Sequence, residues 1–127
     1  MKVLLDTHTF LWWDGDPGKL SAHALELCQN PENTLLLSAA SIWEMQIKIQ
    51  LGKLKIELPL ADIIEQQEGN GVETLPVHVS HVLELSNLPF HHKDPFDRLL
   101  IAQARIEEAV IMTADPVVAQ YAVKVVW

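Results

Sequence analysis

Short apolar runs spaced along the chain, each followed by a stretch of helical character, constrain this sequence more than any other feature. The runs lie at 2–5, 34–37, 72–75 and 110–113, and a further one at 123–126 reads as an edge strand. Each is too short for a helix. A strand buried on both faces has no solvent side, so it reads as a near-continuous apolar run rather than a strict alternation. Between the runs the helix signals recur. A helix over 7–13 is stopped by Gly15, Pro17 and Gly18, and Ser21 caps one that runs to Gln29 before Asn30 and Pro31. Ser38 or Ser41 opens a helix through Gln50, stopped by Gly52; alternating apolar and polar residues after Glu44 also allow an earlier end. Further helices are expected at 60–68, 78–86, 95–108 and 117–121. Strands alternating with helices predict an α/β fold, a three-layer α/β/α sandwich with a mainly parallel central sheet. No linker or repeat divides the chain, so a single domain over 1–127 is expected.

Several function classes are disfavoured at once. No stretch approaches the ~20 consecutive apolar residues of a membrane span. The apolar run before Asp6 is only three residues long, fewer than the ~7–15 of a signal peptide. The lone Cys28 cannot form an internal disulfide, so a cytoplasmic setting is expected and Cys28 reads as a buried small hydrophobe. The net charge of −8, from 17 acids against 9 bases, argues against generic polyanion binding. Either some acids gather to hold a divalent cation, or the protein never meets a polyanion.

In open parallel sheets, ligands bind beyond the carboxyl ends of the strands. The polar residues expected there are mostly acids. Asp6 directly follows the first strand, Asp115 closely follows the 110–113 strand, and Glu44 lies in the opening turns of the helix after the second. Asp97 lies in the first turn of the helix that begins at Pro95, and joins them if that helix starts on the same edge. Converging carboxylates suit a hard cation such as Mg²⁺ or Mn²⁺, which prefers oxygen ligands. Each acid also has a plainer use. Asp6, Asp94 and Asp115 stand where a helix N-cap would, Asp97 favours the helix dipole, and Glu44 is one turn from Lys48. Asp94 is read as a cap. Glu44 shares a face with Ala40, Ile47 and Leu51, where an acid is costly unless a metal or a buried hydrogen-bond network compensates it.

Four segments together resemble the VapC family of PIN-domain toxins: Val3-Leu-Leu-Asp-Thr-His-Thr-Phe-Leu-Trp12, Ser38-Ala-Ala-Ser-Ile-Trp-Glu-Met45, Asp94-Pro-Phe-Asp-Arg-Leu-Leu-Ile-Ala-Gln-Ala104 and Thr113-Ala-Asp115. The blocks occur in the family's order and span nearly the whole chain, and the third is the most specific. The resemblance implies a nuclease that cleaves RNA with Mg²⁺ or Mn²⁺ held by Asp6, Glu44, Asp97 and Asp115. It also implies a cognate VapB-type antitoxin and a homodimer. In this frame Asp6, Asp97 and Glu44 hold the cation, Asp115 completes the shell or orients water, and Thr113 and Ser41 are candidates to hydrogen-bond the carboxylates. The competing expectation is a catalytically silent module of the same fold, kept for partner binding or oligomerisation.

Other residues carry weaker signals. His91 and His92 are adjacent, and His78 and His81 share a helix face without a third ligand, which disfavours zinc. Arg98 has two equal readings, a phosphate contact or an acid's partner. Trp12, Trp13 and Trp43 are either core or, in part, a partner-binding face.

Overall fold

The computed structural model describes all 127 residues. Five strands form one sheet: β1 (Lys2–Leu5), β2 (Thr34–Ser38), β3 (Glu73–Leu75), β4 (Val110–Met112) and β5 (Val125–Val126), in the order β3-β2-β1-β4-β5. Every neighbouring pair is parallel. The helices are α1 (Thr7–Gly15), α2 (Ala22–Gln29), α3 (Ala39–Gln50), α4 (Leu60–Gly69), α5 (Val79–Glu84) and α6 (Pro95–Glu107).

The pleat explains why the strands read as unbroken apolar runs. Val3, Leu5, Leu35, Leu37, Val110 and Met112 face one core, with Phe10 of α1, Ala24 and Cys28 of α2, Met45 of α3 and Ile63 of α4. Leu4, Leu36 and Ile111 point the other way, onto a second core with Leu100, Ile101 and Ala104 of α6. Successive residues thus serve opposite helical layers. Burial pushes the Cys28 thiol up to about 11, as suits an inert core residue.

Capping sets where the helices begin. Ser21 accepts from the Ala24 N–H at 2.9 Å, and Ser38, rather than Ser41, caps α3 by accepting from the Ala40 N–H at 3.0 Å. Asp94 accepts from the N–H groups of Phe96 and Asp97 at 2.9 and 3.1 Å, with Pro95 at the first helical position, so α6 starts where the sequence places it.

One expectation is corrected and two open readings are resolved. α3 runs to Gln50 as expected, and the earlier end is ruled out because Met45 is buried in the first core and Lys48 pairs with Glu44 one turn back. The chain turns away at Gly52, two residues past the helix end, whose φ of +73° is a conformation glycine adopts freely. The 117–121 segment forms only a 3₁₀ turn at Val118–Gln120, and at Tyr121 the backbone becomes extended. The three tryptophans are not all core. Trp12 and Trp13 pack against the first core, whereas Trp43 is 62% exposed and meets Phe96 edge-on at 5.4 Å.

No helix is long and apolar enough to cross a membrane. The chain runs from β1 outward through β2 to β3, then crosses back to β4 and β5. The order therefore reverses between β1 and β4, and the switch point lies at their carboxyl ends.

Candidate active site

Asp6 leaves β1 at that switch point and caps α1, its Oδ1 accepting from the Thr9 N–H at 2.8 Å. The Asp6 N–H and the Thr9 hydroxyl both donate to the Met112 carbonyl, at 3.2 and 3.0 Å. The ends of β1 and β4 are thereby clamped together. Asp115 follows β4 in a turn closed from both sides: the Thr113 hydroxyl accepts the Asp115 N–H at 3.1 Å, and Asp115 Oδ1 accepts the Val117 N–H at 3.0 Å. Asp6 and Asp115 line one cavity of about 300 Å³ together with His8, Thr9, Trp12 and Ala114. A larger cavity of about 500 Å³, lined by Leu11, Asp14, Ile56 and Ile63 among others, holds none of the four acids.

Asp97 sits in the first turn of α6 with its side chain 26% exposed. Burial foremost, and then the charges of Asp94 and Asp6, raise its carboxyl from 3.8 to about 6, against a lowering hydrogen bond from His92. The charge of Asp6 is among the causes, so the two carboxylates lie within electrostatic reach of one another.

Glu44 is 8% exposed on α3, and the structure shows what compensates its burial. Oε1 accepts from the Thr7 hydroxyl and Oε2 from the Lys48 ammonium, both at 2.7 Å. Thr7 follows Asp6 in the chain, so Glu44 is tied to the start of α1. Leu51, expected on the same apolar stripe, lies past the helix end and is 62% exposed.

The structure thus brings Asp6 and Asp115 into one cavity, sets Asp97 within range of Asp6, and links Glu44 to the site through Thr7. No three His, Cys, Asp or Glu side chains stand together as a closed ligand cluster. The donor set is nonetheless all hard oxygen. One oxygen each of Asp6, Asp97 and Asp115 makes no hydrogen bond within the protein, and such groups fit a divalent cation that retains several waters.

Several side-chain expectations change. Thr113 bonds the Asp115 backbone rather than a carboxylate, and the buried Ser41 hydroxyl has no partner. Arg98 neither pairs with an acid nor faces solvent. It is buried, donating to the Pro89 carbonyl at 2.7 Å and the Tyr121 hydroxyl at 3.1 Å, with the Phe90 ring 4.0 Å from the guanidinium. His81 is fully buried against Glu107. Sequence reasoning assigned no role to Thr7, His8, His92 or Tyr121. A threonine directly after Asp6 was the available signal for Thr7; His92 stands beyond the Asp94 cap, and nothing local marks it as Asp97's partner.

Comparison with known proteins agrees with this architecture. Ribonuclease VapC22 from Mycobacterium tuberculosis is 29% identical over 103 residues, covering 80% of this chain and 78% of that protein. The solved VapBC2 of Rickettsia felis, bound to a promoter DNA fragment, superposes with a TM-score of 0.74 at 14% identity, covering 99% of this chain and 98% of the matched one. DNA-bound VapBC from Salmonella typhimurium gives 0.68, also at 14% identity, over 99% and 97%. The PIN domain family model matches residues 3–124, from the first residues of β1 to the approach to β5, and on that span the chain belongs to the PIN domain family.

Proposed function

We propose that the chain is a metal-dependent ribonuclease cleaving RNA phosphodiester bonds, the toxin of a toxin–antitoxin pair neutralised by a VapB-type antitoxin. The carrying observation is the cavity at the strand-order reversal, where Asp6 and Asp115 meet within electrostatic reach of Asp97. Asp6, Asp97 and Asp115 would hold Mg²⁺ or Mn²⁺ through the oxygens they leave unbonded. Glu44 would complete the quartet from behind, fixing Thr7 and the charge at the start of α1. The chemistry such a cation supplies when bound is activation of water and neutralisation of charge on the scissile phosphate. His8, exposed and lining the same cavity, would hydrogen-bond substrate, and Lys48 is the cation paired with Glu44 of the quartet. The ribonuclease assignment of VapC22 supports RNA as substrate, and the VapBC assemblies of the solved relatives support an antitoxin partner. A cytoplasmic homodimer accords with the family resemblance.

The test is incubation of partner-free protein with total cellular RNA, in Mg²⁺ or Mn²⁺ and then in chelator, beside Asp6→Asn. Asn keeps an oxygen for the Thr9 N–H, so the α1 cap survives while the negative charge is lost. Discrete metal-dependent cuts that vanish in the variant are expected. Absence of cleavage in either metal, with wild type and variant alike, would leave a non-catalytic partner-binding module in its place.

A further inference from the structure

A chain of hydrogen bonds runs from the interior to Asp97. The Tyr121 hydroxyl accepts from Arg98 Nη1 at 3.1 Å and from the His92 backbone N–H at 3.2 Å, which fills both of its acceptor positions. Its single proton then goes to His92 Nδ1, 2.8 Å away, in preference to the His92 carbonyl at 3.4 Å. With Nδ1 an acceptor, neutral imidazole carries its proton on Nε2, and Nε2 lies 3.3 Å from Asp97 Oδ2. The network therefore assigns the His92 tautomer from the buried end. Arg98 is locked in turn by the carbonyls of Pro89 and Leu88 and roofed by Phe90. Tyr121 is buried in the second core, so the relay's anchor is rigid.

We infer that His92 is a positioning residue for the cation site: its Nε2–H, set by Tyr121 and Arg98, occupies Asp97 Oδ2 and leaves Oδ1 as that residue's ligand atom. The inference rests on the metal-dependent reading above. It also explains why Arg98, though next to Asp97 in sequence, is buried instead of facing substrate. Its guanidinium acts three hydrogen bonds removed from the carboxylate, through Tyr121 and His92. His92 is 18% exposed and packs its ring 5.4 Å from that of Tyr121, so it is held from both ends.

The experiment measures Mn²⁺ affinity of the RNA-free protein by the paramagnetic signal of free Mn²⁺, for wild type, Asp97→Asn, His92→Leu, His92→Gln and His92→Asn. Loss of a partner that orients a metal-binding carboxylate commonly weakens metal affinity by about 10–100-fold, and that is the expectation for His92→Leu. His92→Gln, whose amide nitrogen can reach the place of Nε2, should recover most of the affinity, and the shorter His92→Asn should not. Nitrogen NMR should show the Nε2–H tautomer in wild type and lose that preference in Tyr121→Phe.

Wild-type affinity in a folded His92→Leu variant, alongside a clear loss in Asp97→Asn, overturns the inference and leaves the metal reading standing. No Mn²⁺ binding by wild type removes both. Should His92→Leu fail to fold by circular dichroism, the Gln and Asn pair decides, and equal affinities for the two overturn the role.

Discussion

Asp97→Asn should make the metal-free protein more stable at neutral pH while abolishing its function. The carboxyl titrates near 6 in the fold instead of 3.8, chiefly because it is buried. At about 1.4 kcal/mol per pH unit, keeping it ionised at pH 7.5 costs the fold about 3 kcal/mol. With the side chain 26% exposed, solvent screening reduces the expectation to about 2 kcal/mol. Asn removes the charge, keeps the volume and can still accept from His92 Nε2. For a domain of this size, about 2 kcal/mol corresponds to a rise in Tm of roughly 6–10 °C. The pH dependence has a definite sign. A carboxyl whose pKa is raised on folding contributes stability that is fully present below about 3.8 and is lost as pH rises through about 6. The gap between variant and wild type should therefore be widest at pH 7.5 and shrink steadily as pH is lowered to 4.5. Thermal unfolding followed by circular dichroism in EDTA at several pH values measures it, and taking the difference cancels the other titrating groups. A variant no more stable than wild type at pH 7.5, or a gap that does not close in acid, would refute the reasoning.

Two further substitutions probe the buried polar contacts. Thr7→Val keeps the shape but leaves Glu44 Oε1 without its donor, and should cost about 1–3 kcal/mol in chemical denaturation; an unchanged midpoint would show that Lys48 and water suffice. Arg98→Lys replaces a buried guanidinium that binds two carbonyls and a hydroxyl, and should cost about 2–3 kcal/mol, with metal-free RNA affinity, measured in EDTA, unaltered once the protein is folded. A stable variant with weakened RNA binding would restore the phosphate-contact role.

What the sequence determined alone is whatever depends on near neighbours. Two-faced burial makes Val3-Leu-Leu and Leu35-Leu-Leu read as unbroken runs, which locates the strands and requires a parallel sheet between helical layers. Capping is equally local: Ser21 and Asp94 bond N–H groups no more than three residues away, so those helix starts were legible. The positions of Asp6 and Asp115 followed from strand ends, while the grouping of the four acids as one site is what the resemblance of the motif blocks implies. The Glu44–Lys48 pair was legible too, as a one-turn spacing. Only the tertiary structure decided which partner each remaining polar group took. Thr7 meets Glu44 across 37 positions, Tyr121 meets His92 across 29, and Arg98 bonds Tyr121 across 23. Arg98 offered two sequence readings and the fold chose neither, because a guanidinium beside three oxygen acceptors loses less by burial than by leaving them unpaired. For α3 the fold chose the longer of the two readings, through Gln50, with Met45 in the first core. Periodicity and capping act over a few residues and can be read in one dimension, whereas hydrogen-bond partners are assigned by which surfaces the folded sheet and helices press together.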